Sequence, residues 1–167
     1  MKEIKNETIY TSDNVKKFLE VYYFERVKIP RLIINLLILL AVIYFFTKEN
    51  KEILDYTTFI FCLFGIVELN TTMLPRLNYH KLKKSKDSVL NTKIEYLFKK
   101  NNFKLSTNKD EYIDYTSLYK VLETKEYYYL YINSSRAFIV DKKDMSDKDI
   151  NALTTIFKEK VPRYKEK

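Results

Sequence analysis

Two apolar runs, separated only by KENKEILD (Lys48–Asp55), constrain this chain more than any other feature. The first is LIINLLILLAVIYFFT, Leu32 to Thr47, and the second is YTTFIFCLFGIVELNTTML, Tyr56 to Leu74. A hydrocarbon core about 30 Å thick takes roughly 20 helical residues. Ile29, Pro30 and Arg31 extend the first run toward an interface, while the second carries Glu68 and Asn70. Two buried helices of a water-soluble protein are the alternative. They are disfavoured because Leu36 to Phe46 holds no charged residue and so has no polar face to turn to water. The runs therefore predict a two-helix transmembrane hairpin.

The charges beside the runs give its direction. Lys17, Arg26, Lys28 and Arg31 precede the first run, and Arg76, Lys81, Lys83, Lys84 and Lys86 follow the second. The connector offsets its two lysines with three acids. Lys and Arg near span ends stay on the cytoplasmic side, so both termini are expected inside and the short loop 48–55 outside. Tyr44, Tyr56 and Tyr79 suit the interfaces. The opening MKEIKNETIY is polar and charged, and no small-residue cleavage pattern follows the first run, so that run is expected to remain as an anchor.

Three groups inside or beside the hairpin are candidate sites. Glu68 lies eight residues before Arg76, about 12 Å along a helix. A carboxylate at that depth faces protein or water, or is protonated. With Asn70, and Asn35 from the first run, it forms either a partner-binding or proton-linked site or simple polar glue between helices. Arg76, Lys81, Lys83, Lys84 and Lys86 form a juxtamembrane basic stretch. It either sets topology or attracts anionic lipid. His80, the one histidine, has no second His and no Cys beside it, so no metal site and no cofactor is expected.

Composition narrows the classes further. The chain has 167 residues, one Gly and one Cys, which excludes a glycine-rich phosphate loop, an intramolecular disulfide and a cysteine-based zinc site. The net charge of +8 is divided evenly, +4 on residues 1–91 and +4 on 92–167, without a dense basic tail, so nucleic acid is not the expected partner. No spacing pairs a nucleophile with a base, so the expectation is a protein that is not an enzyme.

The flanks read as folded pieces. Ile4 to Thr11 is strand-like, and Ser12 and Asp13 are N-cap residues for a helix whose apolar stripe is Val15, Phe18, Leu19 and Tyr22. Pro30 is a break or a first-turn residue. After the basic connector, strands are predicted at Ile94–Phe98, Phe103–Thr107, Tyr112–Thr124, Tyr127–Ile132 and Arg136–Val140, with Asn101-Asn102 as a hairpin turn. Ser146 and Asp149 resemble a capping box, and Ile150, Leu153, Phe157 and Val161 form the stripe of a helix ended by Pro162. The fold class is an α+β membrane protein: the hairpin plus a small antiparallel β domain closed by a C-terminal amphipathic helix. The organisation is 1–28 strand and helix, 29–77 hairpin, 78–91 basic connector and 92–167 β-rich domain.

In KEYYYLYIN, residues 125–133, strand alternation places Tyr127, Tyr129 and Tyr131 on one face and Tyr128, Leu130 and Ile132 on the other. The second set is expected against the core and closing helix. The first is either a cross-strand aromatic ladder or a binding face.

The segment SLYKVLETKEYYYLYINSSRAFIVDKKDM, Ser117 to Met145, resembles the YcxB-like family of bacterial membrane proteins. Its LYKVLET, YYYLYI and FIVDKKDM correspond to a strand ending in a turn, an aromatic strand and a further strand before a closing helix. The order of strand, helix, two spans and small β domain resembles the family over most of the chain. Tyr115 stands where that family tends to carry Trp, Asp141 where it carries Pro, and Met145 where it carries a large aromatic. The resemblance further implies a small pleckstrin-homology-like module, and it implies no catalytic residues. The expected function is a membrane-tethered interaction module at the inner face of a bacterial cytoplasmic membrane, with the bilayer and a protein as partners and self-association open. A self-protection protein against a toxin or bacteriocin is the alternative.

Overall fold

The computed structural model describes residues 3–26, 28–70, 73–85, 89–107 and 109–167, apart from the side chains at 66, 68–70, 73 and 74. The chain is α+β and divides into two compact units, residues 1–14 with 89–167, and residues 15–88.

The first unit is built on two four-stranded sheets. In the first sheet β1 (Ile4–Ile9), β2 (Lys93–Phe98), β3 (Asn102–Ser106) and β4 (Asp110–Asp114) lie side by side in chain order, each pair antiparallel. The second sheet runs β7 (Ala137–Asp141), β6 (Tyr127–Tyr131), β5 (Lys120–Glu123) and β8 (Tyr164–Glu166), with β8 parallel to β5. The strand read at the N-terminus thus joins the β-rich C-terminal part. It pairs over its whole length with β2, from Ile4 opposite Phe98 to Ile9 opposite Lys93.

The predicted strand Tyr112–Thr124 is two strands in different sheets. Between β4 and β5 the backbone makes a short 3-10 turn at Tyr115–Ser117. Tyr115 causes the break: its ring is fully buried and its hydroxyl donates to the Lys99 carbonyl at 2.9 Å, so the chain turns inward there. β8 was not read from the sequence; it is three residues long and begins two residues after Pro162.

α5 (Asp147–Lys160) closes the core as its stripe predicted. Ser146 caps it by accepting from the Asp149 amide at 3.2 Å, and Phe157 lies fully buried. The Phe157 ring meets Phe98 of the first sheet at 6.2 Å, Tyr115 at 5.7 Å and Tyr128 of the second sheet at 5.2 Å, all edge-on. Edge-on pairs use the ring quadrupole as well as burial. At the other end of α5, Lys160 donates to the Lys100 carbonyl and to Asn101 Oδ1, both at 2.6 Å.

Side chains also join the edges of the two sheets. The Ile139 amide donates to the Tyr10 hydroxyl at 2.9 Å, and the Tyr96 hydroxyl donates to the Ile139 carbonyl at 3.0 Å. Two residues along β7, the Asp141 amide donates to Thr8 Oγ1 at 2.9 Å and Asn6 Nδ2 donates to the Asp141 carbonyl at 2.7 Å. Four side chains thus do what a neighbouring strand does elsewhere, satisfying edge groups that are costly to leave buried and unpaired. Burial raises the pKa of both Tyr10 and Tyr96, keeping their hydroxyls protonated.

The second unit holds α2 (Lys28–Thr47) and α3 (Ile53–Asn70), with α4 (Met73–Lys84) and most of α1 (Ser12–Arg26). Pro30 occupies the first turn of α2, where its missing N–H costs nothing. Among the described residues α2 alone is long and apolar enough to cross a membrane; the apolar part of α3 runs only from Ile53 to Gly65. The two helices pack side by side. Phe45 stacks on Phe59 at 4.4 Å, and a Cβ added to Gly65 would lie 3.4 Å from Ile38 Cδ1. The connector between them holds a Lys48–Asp55 ion pair at 2.7 Å.

Two substitutions test this core. Phe157→Ala removes the ring that meets both sheets and is expected to destabilise the β unit by about 3–5 kcal/mol, read by urea unfolding. Tyr96→Phe strands the Ile139 carbonyl and is expected to cost about 1–3 kcal/mol in the same assay.

Candidate functional site

Two polar assemblies stand out in the β unit. The first is a cleft of about 480 Å³ lined by the first sheet and by Asp144. Alternation sends Lys5 and Glu7 of β1, Glu95 and Leu97 of β2, and Lys104 and Ser106 of β3 to the face away from the core. The charges are interlocked. Lys93 lies 2.9 Å from Glu7 and 3.1 Å from Glu95, and Lys104 lies 2.7 Å from Asp110. The bond to Glu7, then that to Glu95, holds the Lys93 pKa above its ordinary value, while the bond from Lys104 holds Asp110 below its own. A surface of alternating, internally paired charge suits a polar partner of matching pattern better than a single strong ion.

The second assembly is interior. Glu123 of β5 and Lys142, just after β7, are both nearly buried and meet at 2.5 Å. Lys142 also donates to the Thr124 carbonyl at 2.8 Å and lies 4.2 Å from the centre of the Tyr128 ring. Thr154 of α5 donates to Glu123 Oε2 at 3.0 Å, and the Tyr164 hydroxyl of β8 donates to the same oxygen. The Tyr128 hydroxyl reaches the Ile150 carbonyl at 3.0 Å and Thr154 Oγ1 at 2.7 Å. Burial pushes the Glu123 carboxyl up, but the bonds from Lys142, Tyr164 and Thr154 and the Lys142 charge outweigh it, so its pKa lies below the usual carboxyl value. Burial raises the pKa of Tyr128 and of Tyr164. With its oxygens engaged by three donors, Glu123 is a structural anion that ties β5, α5 and β8 together, and it is poorly placed to accept a substrate proton.

The sequence-derived candidates are spread apart. Tyr127, Tyr129 and Tyr131 are 7%, 1% and 1% exposed, so β6 is enclosed on both faces and no open tyrosine platform exists. The pairing of β6 between β5 and β7 makes it a central strand, which the alternation of one segment does not reveal. Tyr127 and Tyr129 stack at 5.9 Å within that strand. Tyr128 meets the closing helix as expected and Leu130 is fully buried, but Ile132 falls beyond the strand and is 41% exposed. Arg76, Lys81, Lys83 and Lys84 lie exposed on α4, and Lys86 lies outside the described residues. His80 is exposed on the same helix, its ring 5.8 Å from Tyr79. Asn35 is half-buried on α2, while the side chains of Glu68 and Asn70 lie outside the described residues. No cluster of three or more His, Cys, Asp or Glu side chains suited to a metal is found among the described residues.

Sequence reasoning missed the Glu123–Lys142 pair. Its one available signal was a Glu in register with apolar Val121 on an inward strand face. The partners are 19 residues apart across two turns, so no local spacing links them.

An α+β unit of two sheets closed by one helix, with an internal ion pair and no described metal cluster, is the class defined so far. Residues 98–157 match the family model described as YcxB-like protein, and over that segment the chain is similar to that family. The match runs from Phe98 to Phe157, the two rings in contact at the core, and it encloses both the Ser117–Met145 resemblance and Glu123 with Lys142. Neither the comparison with curated proteins nor that with solved structures returns a match.

Lys142→Met leaves the Glu123 carboxylate buried without its cation and is expected to destabilise the unit by about 3–5 kcal/mol, with much of the loss restored by adding Glu123→Gln. Because the folded pKa of Glu123 is depressed, its contribution is complete above the ordinary carboxyl range and is lost as pH falls through the lower folded value. Urea titrations from pH 6 to about pH 3 should therefore show a shallower acid loss in Glu123→Gln than in the wild type.

Proposed function

We propose that the chain is a membrane-tethered interaction module. α2 and α3 form its transmembrane hairpin, and the β unit lies on the cytoplasmic side of a bacterial membrane for contact with a protein partner. The observation that carries this reading is the exposure of the helices. No residue of α2 is buried, and Leu32, Phe46 and Ile53 are 71%, 69% and 85% exposed. Apolar surface of that extent is unfavourable in water and is matched by lipid.

The sheet supports the second crossing. β1 precedes α2 and β2 follows α4, yet they are paired over six positions. A chain that leaves one side of a membrane through α2 must return before β2, so the number of crossings is even and α3 supplies the return. Thr57 and Thr58 help α3 to do so by bonding their hydroxyls to the Leu54 carbonyl at 2.9 and 2.8 Å, which removes two polar groups from an apolar surface. Basic residues before α2 and on α4 support a cytoplasmic side for both ends. For the β unit, the interlocked charges of the first sheet's outer face are the surface we assign to partner contact.

Cysteine mapping in intact cells tests the tether. In a Cys62→Ser background, Asn50→Cys should react with a membrane-impermeant maleimide from outside, and Asn133→Cys only after lysis. Release of the chain by alkaline carbonate, or labelling of Asn133→Cys in intact cells, would contradict the reading. Photocrosslinking residues placed at Lys5 and Ser106 should give one discrete adduct in native membranes; no adduct at either position argues against the partner face.

A further inference from the structure

The basic residues of this protein fall into two kinds. Several described lysines outside α4 are paired with carboxylates: Lys93 with Glu7 and Glu95, Lys99 with Glu3, Lys104 with Asp110, Lys142 with Glu123 and Lys48 with Asp55. On α4 the pattern reverses. Arg76, Lys81, Lys83 and Lys84 are exposed, and none has a hydrogen-bond or ion-pair partner among the described residues. No acidic residue occurs between Glu68 and Asp87, so the helix has no anion of its own to offer them.

α4 is also two-faced. Pro75 and Tyr79 are buried and Leu82 is half-buried, at the i, i+4, i+7 spacing of one helical stripe. Arg76, Lys83 and Lys84 lie off that stripe with His80, and Lys81 lies on its other flank beside the exposed Leu77. Cations free of internal partners, held on a helix that directly follows an apolar one, form a surface whose complement is a layer of fixed negative charge.

We propose that the exposed face of α4 binds the headgroups of anionic phospholipids, with Arg76, Lys81, Lys83 and Lys84 as the contacts. The assignment rests on the membrane-tethered reading and adds a lipid preference to it. Topology alone requires positive residues near a span; it does not require that they stay unpaired. The binding is electrostatic, so it weakens as salt shortens the Debye length.

The test uses the full chain reconstituted in vesicles of phosphatidylcholine with a minor share of phosphatidylglycerol. The chain is then excised with its lipid shell by an amphipathic polymer and the shell is analysed. The wild type should carry phosphatidylglycerol enriched about two- to fivefold over the bulk at low salt, falling toward the bulk value at 0.5 M NaCl. Arg76→Gln with Lys81→Gln, Lys83→Gln and Lys84→Gln should show no enrichment. Lys81→Arg with Lys83→Arg and Lys84→Arg should keep it, which separates lost charge from lost folding. A wild-type shell at bulk composition, or one equally enriched in the glutamine variant, overturns the proposal. If the chain in those vesicles still resists carbonate extraction, the tether survives without the lipid preference; a chain that never inserts overturns both.

Discussion

The ladder between β1 and β2 is the constraint on which the other features hang. It joins Ile9 to Lys93, 84 residues apart, and everything in the helical unit is the loop between them. Because β1 comes before that loop and β2 after it, the first sheet cannot exist without bringing the two ends of the helical segment together. The same strand supplies Asn6 and Thr8 to the edge of β7, and the residue after it supplies Tyr10. β1 is thus both a member of the first sheet and the seam to the second.

Inside the seam the interior is aromatic where the sheets meet the helix and ionic where β5, α5 and β8 converge. The two parts share Tyr128. Its ring lies against Phe157 and near the Lys142 ammonium, and its hydroxyl bonds to α5. A buried ion pair adds little stability against an apolar replacement, but breaking half of it is costly. That asymmetry favours Glu123 and Lys142 as a device that fixes how β8 and α5 seat on β5. The YcxB-like match runs from Phe98 to Phe157, so it takes in β5 and most of α5 and leaves out β1, β8 and helices α1 to α4.

Local features were legible in the sequence. The Ser146 cap, the α5 stripe, the apolar run of α2 and the turn at Asn101-Asn102 each depend on residues within a few positions of one another. Features set by distant partners were not. Tyr112 to Thr124 has the composition of one strand, and only the burial of Tyr115 against Phe103 and Phe157 divides it between two sheets. The tyrosines of β6 alternate like a half-exposed strand, yet neighbours on both sides enclose them. Asn6 and Thr8 are polar, yet they are interior, because they bond to the backbone of Asp141, 133 positions beyond Thr8. The basic residues of α4 were visible, whereas their lack of anionic partners required the fold.

The order of β1 along the chain also sets a timetable. At roughly 5–20 residues per second of synthesis, β1 waits about 4–17 s for Lys93 to be made. Throughout that interval its partner strand does not exist, and the charges of Lys5 and Glu7 discourage pairing with a stranger. The first sheet is completed only after both apolar helices have been synthesised, so its closure follows their emergence rather than preceding it. An early-made strand completed by a late-made one makes the domain a record that the whole segment between them has been made.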